Sequence, residues 1–291
     1  MIKEICQFVE TLEEQTPDLF EEGAKLKEGL YVALDIGLED GIYVLKNIDE
    51  NGNILKEDIG LFTKQEELNP FFERCRMILQ ASKPVSAAKI FNPNKKIFNV
   101  TCSPFAVGCT KKFLDKNFDE IGISGLRNEL FNQYFKKARD FVSPINKTLF
   151  EGFVDFFHEK FRTLVLLNIG LSRHRSLFNK ATLDYTSAVG LDRLKESYTI
   201  TFFIKNLSID DFKSSYEKYL GLNVFNKTDY NAIFNNITYG VSDSLSSFND
   251  KKRFLQHQTA SFRYNFRING EDAQLVWKFY QLSQNKQLPN P

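Results

Sequence analysis

The stretch "YVALDIGLEDGIYVLKNID", residues 31–49, determines how the fold begins. Two apolar runs flank a short acidic turn, and Asp35 stands at the end of the first run. An Asp-Gly pair between two apolar runs is a strong local signal for a β-hairpin. The sequence therefore predicts a strand over 30–36 and a second over 41–48, joined by the turn that contains Asp40 and Gly41.

The sequence on both sides of this hairpin indicates a mixed order of elements. A third strand is predicted over 53–62, after the "ENG" turn, and it completes an N-terminal β-meander. Apolar residues at helical spacing predict helices over 2–14, 70–81, 125–142, 147–168 and 271–284. "SIDD" at 208–211 is typical of a capped helix start, and Gly221 is expected to end that helix. Short strands are expected within 86–108, 197–205 and 261–268.

These elements predict the α+β class, because strands and helices follow one another without regular βαβ alternation. The expected architecture is an N-terminal β-meander with flanking helices, followed by a mostly helical part with a few further strands. We expect residues 1–120 to form the mixed region and residues 121–291 the helix-rich region, with a late strand and a terminal helix. The sequence has no low-complexity linker or internal repeat, so the two regions are expected to pack as one unit.

Charge is distributed unevenly along the 291 residues, although the net charge is only +1. Residues 1–67 carry 17 acidic and 6 basic residues, a balance of −11, whereas residues 68–291 have a balance of +12. Asymmetry of this size favours a body that faces a polyanion and an acidic segment that faces protein or solvent. Two ordinary solvated surfaces remain the alternative interpretation.

Several functional classes are disfavoured by the sequence. No apolar run reaches the roughly 18 residues of a membrane span, and the acidic N-terminus lacks a signal-peptide pattern, so we expect a cytoplasmic protein. The four cysteines have no zinc-ligand spacing and are expected to be buried free thiols: Cys6, Cys75, Cys102 and Cys109. Neither a metal nor a cofactor is expected.

A hydrolase is the first alternative for the opening hairpin. An acid at the end of the first strand is typical of actin-like ATPases and of ribonuclease-H-like nucleases. A phosphate loop, however, needs Gly with Ser or Thr after that acid, and here Glu39 and Asp40 would repel phosphates. A two-metal site needs acids from later elements, and the candidates have no diagnostic spacing: Asp119, Glu120 and Asp140. We expect no enzymatic activity, with a metal-dependent nuclease or phosphohydrolase as the alternative.

Three basic stretches favour nucleic-acid binding. Residues 89–116 contain an "NPNKK" turn, and residues 160–180 contain no acid. Residues 251–267 also lack an acid and interleave aromatic with basic side chains, which suits a groove that tracks a backbone and stacks bases. The candidate nucleic-acid-binding residues are Asn92, Asn94, Lys95, Lys96, Lys111, Lys112, Arg173, Arg175, Lys251, Lys252, Arg253 and Arg263. Asn suits base edges, whereas Lys and Arg suit phosphates.

The C-terminal segment over 252–291 resembles a known family, the large subunit of type I-B CRISPR interference complexes, which is the Csh-type Cascade large subunit. Family members show a similar Phe-Leu-x-His-x-Thr-x-x-Phe segment, then a helix that begins with Glu-Asp-Ala, then Leu-Pro-Asn-Pro. The matching residues here are Phe254, Leu255, His257, Thr259, Phe262, Glu271, Asp272, Ala273 and Leu288–Pro291. The leading helix, the meander, "NPNKKIFN" and "NQYFKKA" also fit, and the match is loose between 180 and 250.

The resemblance implies a subunit without catalysis of its own. Such subunits bind guide RNA, read the protospacer-adjacent motif in target DNA, contact other subunits of the surveillance complex, and help recruit a helicase–nuclease. The protein reads the motif, while base pairing reads the target. Family members continue past the Leu-Pro-Asn-Pro segment, so this chain is expected to be an N-terminal portion. A protein-interaction scaffold that works through its acidic face is the remaining alternative.

Overall fold

The computed structural model describes residues 2–16, 19, 25–86, 89–91, 100–159, 176, 178–225, 228–242, 244 and 267–288. Contacts divide the chain into two compact units. The sheet unit comprises residues 26–216, and the terminal unit comprises residues 1–25 and 217–291. The boundary at residue 216 lies inside one helix, and residue 120 lies within the sheet unit.

The sheet unit is built on a four-stranded sheet with the order β4-β1-β6-β5. Its strands are β1 (Gly29–Leu34), β4 (Ile59–Phe62), β5 (Ala106–Thr110) and β6 (Thr199–Ile204). Strand β1 runs antiparallel to β4 and parallel to β6, and β5 runs antiparallel to β6. Every residue of β1 and of β6 is buried, as expected of central strands with both faces covered.

The hairpin predicted at the outset is present, but it forms a separate two-stranded sheet. Strands β2 (Ile36–Glu39) and β3 (Ile42–Leu45) pair antiparallel, and Asp40 and Gly41 form the turn with φ of 49° and 80°. Two consecutive positive φ angles match a type I′ turn, whose twist suits a tight hairpin. The first predicted strand is interrupted at Asp35, so β1 pairs with β4 and β6 whereas β2 pairs with β3.

The described part of the sheet unit contains six helices. They are α2 (Pro70–Gln80), α3 (Lys111–Gly125), α4 (Asn132–Ala138), α5 (Lys147–Glu159), α6 (Lys180–Ala188) and the first part of α7 (Ile209–Asn223). Asn69 caps α2 by accepting from the Phe72 N–H at 2.9 Å, with Pro70 in the first turn. A π-helix, Leu126–Phe131, follows α3, which is kinked at Gly122.

Aromatic side chains fill much of the core of the sheet unit. The apolar face predicted for the 125–142 helix is confirmed, since its members are all buried: Leu126, Leu130, Phe131, Tyr134, Phe135 and Ala138. The rings of Phe135 and Phe153 pack edge to face with centroids 5.7 Å apart. Helix α5 approaches β2 closely at Gly152, where an added Cβ would lie 2.5 Å from Ile36. The high Phe content is therefore used for packing at these positions.

The described part of the terminal unit combines two complete helices and the end of α7 with a small sheet. Helix α1 (Ile2–Gln15) packs on α8 (Gly270–Gln284), where Phe8 and Phe279 meet edge to face and Lys278 pairs with Glu13. The sheet has the order β7-β8-β9, with β7 (Ala232–Phe234), β8 (Ile237–Gly240) and β9 (Ile268–Asn269). Helix α7 continues past Gly221 to Asn223, so the expected end at Gly221 is not observed.

These elements confirm the α+β class, with N-terminal strands followed by helices and further strands. The capping box at Ser208 is present, because the Asp211 N–H donates to Ser208 Oγ at 3.1 Å. The predicted strand over 261–268 lies mostly outside the described residues, which contain its last residue in β9. The part of the predicted 147–168 helix after residue 159 is also outside the described residues.

Candidate functional site

The residue that raised the possibility of a hydrolase, Asp35, lies beside a buried polar cluster. Its backbone N–H donates to Asn47 Oδ1 at 3.0 Å, where β1 ends and β2 begins. Asn47 Nδ2 donates to the Ala33 carbonyl at 2.9 Å and to Asp58 Oδ2 at 2.8 Å. Lys205, directly after β6, pairs with the same Asp58 oxygen at 2.7 Å. We call Asn47, Asp58 and Lys205 the polar cluster.

The polar cluster joins parts of the chain that are distant in sequence. It lies where β1 and β6 end and β4 begins, so it holds the 46–58 loop against the sheet. Asp58 is 4% exposed, and its charge is balanced by Lys205 and a hydrogen bond from Asn47. A buried carboxylate needs such partners, because desolvation alone would make its ionised form costly. The observed contacts account for the cluster as a structural connection.

Other carboxylates of the acidic segment lie at this same end of the sheet. Glu39 and Asp40 are exposed in the β2–β3 turn, and Glu50 and Glu57 are exposed in the loop that leads to β4. Asp49 accepts hydrogen bonds from the Asn51 and Asn53 backbones at 2.9 Å, and these bonds hold the pKa of its carboxyl below its usual range. This end of the sheet is therefore predominantly acidic.

The later acids considered for a two-metal site occupy other elements. Asp119 and Glu120 are exposed on α3, and Asp140 is exposed in the short 3-10 turn after α4. Within the residues that the structure describes, no group of three or more His, Cys, Asp or Glu side chains could hold a metal ion. The described part of the chain thus brings none of these acids into a metal-binding group with Asp35.

Lys111, one of the predicted nucleic-acid contacts, is placed away from solvent. It is 6% exposed and pairs with Asp115 one turn further along α3. Its backbone N–H also donates to the Tyr198 carbonyl at 2.9 Å. This buried, paired ammonium is not presented to a ligand, so we remove Lys111 from the candidate contacts.

Lys112 is exposed, and its backbone N–H donates to the Glu196 carbonyl at 3.0 Å. The next N–H, that of Phe113, lies 3.4 Å from Thr110 Oγ1. The first N–H groups of α3 are therefore already paired within the protein. A helix start binds phosphate through unpaired N–H groups, so any phosphate contact here would come from the Lys112 side chain.

The other predicted contacts lie outside the described residues: Asn92, Asn94, Lys95, Lys96, Arg173, Arg175, Lys251, Lys252, Arg253 and Arg263. Sequence reasoning missed the polar cluster. Asp58 and Lys205 are 147 positions apart, and neither belongs to a local motif. Only the parallel pairing of β1 with β6 brings Lys205 to this end of the sheet.

All four cysteines are free and buried, which confirms that expectation. Burial raises the pKa of the Cys6 thiol to about 11, with a smaller contribution from Asp272. Burial likewise raises the pKa of Cys109 to about 12, and it also raises the pKa of Cys75. These thiols keep their protons at neutral pH and are therefore poor nucleophiles.

In the described part of the chain, no helix combines the length and apolar character needed to cross a bilayer. Comparisons of the chain with protein-family models, with curated proteins and with solved structures found no match.

Proposed function

We propose that this protein is a nucleic-acid-binding subunit, without catalysis of its own, of an RNA-guided CRISPR surveillance complex. In this role it acts in the cytoplasm, contacts guide RNA and reads the protospacer-adjacent motif in target DNA. Its partners are the other subunits of the complex and the helicase–nuclease that joins after target binding. The family resemblance over 252–291 is the source of this specific assignment.

Charge is the physical observation that carries nucleic-acid binding. Residues 68–291 have a balance of +12, and the stretch 251–267 combines five basic residues with interleaved aromatic rings and no acid. Phosphate neutralisation supplies most of the affinity of such proteins, and stacking adds about 1–3 kcal/mol per base. Asn92 and Asn94 would supply base-edge contacts, and Lys95 and Lys96 would supply phosphate contacts.

The contacts of the opening segment support a role without hydrolysis. Asp58 is engaged by Asn47 and Lys205, and Glu39 and Asp40 occupy the hairpin turn where an ATPase loop would need Gly and hydroxyl groups. We expect no nucleotide or nucleic-acid hydrolysis with Mg²⁺ or Mn²⁺. Turnover that is abolished by Asp35→Ala, with the fold intact by circular dichroism, would replace this proposal with a metal-dependent hydrolase.

Purification from the native host tests the proposal most directly. An affinity-tagged full chain should bring down a small guide RNA and a subunit present in several copies, both identified by sequencing and mass spectrometry. Recovery of protein partners alone, without RNA, would favour the scaffold alternative and contradict nucleic-acid binding.

Motif recognition is then measured in the purified complex on duplexes with matched and mismatched motifs. Asn94→Ala should reduce the difference in affinity between the two duplexes, by about 1–3 kcal/mol for a bidentate contact. The double change of Lys95 and Lys96 to Ala should instead weaken binding to both duplexes equally. Equal affinity of the unmodified complex for both duplexes would contradict motif recognition.

A further inference from the structure

One end of the four-stranded sheet gathers exposed lysines from all four strands. The register aligns Phe62, Gly29, Thr199 and Thr110 across the sheet in the order β4-β1-β6-β5. Each of these positions has an exposed lysine within four residues, and Gly29 has a second one, Lys25; the lysines nearest to the four positions are Lys64, Lys27, Lys195 and Lys112, respectively. We call these four residues the lysine edge.

Backbone contacts hold the four lysines next to one another. The Lys64 N–H donates to Glu28 Oε1 at 3.3 Å, and the Glu28 carbonyl accepts from the Thr199 N–H at 3.3 Å. The Lys112 N–H donates to the Glu196 carbonyl at 3.0 Å. Each turn at this end is therefore tied to a neighbouring turn. Four adjacent strands extend over three gaps of about 4.8 Å, so the row covers roughly 14 Å.

None of the four ammonium groups forms an ion pair with a described residue. In the part of the chain that the structure describes, no carboxylate lies within ion-pair distance of Lys27, Lys64, Lys112 or Lys195. Lys195 has a cation–π contact, with Nζ 5.3 Å from the centroid of the Tyr198 ring. The acids near the row are Glu28, which accepts from the Lys64 backbone, Glu66 and Glu67, which follow Lys64 in the chain, and Glu196.

Lys83 adds a fifth positive charge near the row. It is half-buried and is the third residue after α2, and it too forms no ion pair among the described residues. Burial lowers the pKa of the Lys83 ammonium, and the positive charge of Lys27 lowers it further. An anion placed there would relieve this repulsion.

We propose that the lysine edge binds the phosphodiester backbone of a nucleic-acid strand without reading its sequence. Lysine ammonium groups suit this role, because they act as point charges on phosphates and carry no base-specific pattern of donors and acceptors. A row of point charges across a rigid sheet matches a linear polyanion. The opposite end of the sheet carries the exposed acids around Glu39 and Asp40. These acids repel phosphates, so the nucleic-acid strand is confined to the basic end of the sheet.

This inference rests on the proposed function, and it adds contacts that the sequence did not indicate. Lys27 and Lys64 belong to the segment with a balance of −11, which was expected to face protein or solvent. The length of β1, Gly29–Leu34, separates them from the exposed carboxylates around Glu39 and Asp40, whereas Glu28, Glu66 and Glu67 of the same segment lie close to them in the chain. Lys112 is the one member of the row that was predicted from the sequence.

The test measures the salt dependence of binding of the full chain to labelled single-stranded DNA and RNA of mixed sequence. The edge variant carries Lys27→Ala, Lys64→Ala, Lys112→Ala and Lys195→Ala. Its matched control removes four exposed lysines elsewhere in the sheet unit: Lys136, Lys137, Lys147 and Lys180. A third variant replaces the four edge lysines by Arg, which keeps their charge.

The slope of log affinity against log salt should fall by about 3 units in the edge variant, because each lost phosphate contact contributes about 0.7. At about 50 mM salt its affinity should be lower than that of the unmodified chain by at least about tenfold. The control variant and the Arg variant should keep slopes close to that of the unmodified chain. Melting curves and circular dichroism verify folding, and single Lys→Ala variants replace the edge variant if it does not fold.

The results separate this inference from the proposed function. Binding by the unmodified chain with equal slopes in the edge and control variants would overturn the lysine edge and leave nucleic-acid binding in place. A chain that binds neither DNA nor RNA would overturn both. Edge substitutions that abolish binding to polyglutamate but leave the nucleic-acid slope unchanged would identify an acidic protein as the ligand and overturn the assignment.

Discussion

At the scale of single residues, the hydroxyl of Tyr134 forms several hydrogen bonds within the core. Its side chain is fully buried, and its hydroxyl lies 2.9 Å from the carbonyl oxygens of Ser103 and Ala106. The same hydroxyl accepts from the Ser103 N–H at 3.2 Å. One phenol oxygen therefore pairs backbone groups where the chain turns into β5, and these groups have no access to water.

Tyr134→Phe should destabilise the protein by about 1–3 kcal/mol, because buried backbone groups lose their partner while the ring packing is kept. The free energy of unfolding is measured in urea by circular dichroism. Tyr43→Phe is the matched control: the Tyr43 hydroxyl forms no hydrogen bond with a described residue, so its removal should leave stability nearly unchanged. Equal effects of the two substitutions would show that the Tyr134 hydroxyl contributes nothing specific.

The raised thiol pKa values lead to a second prediction at this scale. Cys6, Cys75 and Cys109 should react slowly with iodoacetamide in the folded protein and quickly in urea, as followed by mass spectrometry. The folded state retains these protons above the unfolded pKa of about 8.5, so the stability they contribute is present below that pH and is lost as pH rises. Rapid labelling of Cys75 without denaturant would contradict its buried position.

At the scale of elements, the polar cluster connects a loop to the ends of two strands. Removing Lys205 leaves Asp58 buried, with Asn47 but without a counter-charge, so Lys205→Met should cost about 2–3 kcal/mol. The double variant Asp58→Asn with Lys205→Met leaves no buried charge and should be more stable than Lys205→Met alone. Urea unfolding of the two variants measures this difference. If the double variant is less stable than the single one, loss of the Asp58–Lys205 ion pair is not the main cause of the destabilisation.

Helix α7 gives a second prediction about an element, because Gly221 lies inside it and does not end it. An added Cβ at Gly221 would have one neighbour, Gln274 Nε2 at 3.9 Å. Gly221→Ala should therefore stabilise the protein by roughly 0.5–1 kcal/mol. Gly190→Ala is the contrasting variant, since Gly190 has φ of 78° and its Cβ would lie 2.6 Å from Leu61. Destabilisation by Gly221→Ala, measured in urea, would contradict a continuous helix.

At the scale of the whole molecule, exposed charges of opposite sign lie at opposite ends of the four-stranded sheet. The exposed acids around Glu39 and Asp40 follow the carboxyl end of β1, whereas Lys27, Lys64, Lys112 and Lys195 collect at its amino end. A polyanion is attracted to one end and repelled from the other.

Ultraviolet crosslinking of the full chain to single-stranded RNA should therefore show this polarity. Crosslinked peptides should include residues near Lys112 or Lys195, and they should exclude the hairpin turn at Glu39 and Asp40. Peptide recovery from a digest without RNA is the control, because both regions must be detectable. Abundant crosslinks within 36–45 would contradict the assignment of the two ends.

The sequence by itself determined the local elements of this protein. The Asp40-Gly41 turn, the Asn69 cap, the Ser208 capping box and the apolar face of the 125–142 region are short-range signals, and each is present in the structure. Such features depend on dihedral preferences and hydrogen bonds between residues that are close in the chain. The class followed from the order of these elements.

Only the tertiary structure decided which distant residues meet. The parallel pairing of β1 with β6 joins residues about 170 positions apart, and it produces both the polar cluster at one end and the lysine edge at the other. No local pattern encodes this pairing, because it depends on burying two apolar strands side by side in one sheet. The structure also distinguishes two lysines that the sequence presents as equivalent: Lys111 is buried beside Asp115, and its backbone N–H donates to the Tyr198 carbonyl, whereas its neighbour Lys112 is exposed.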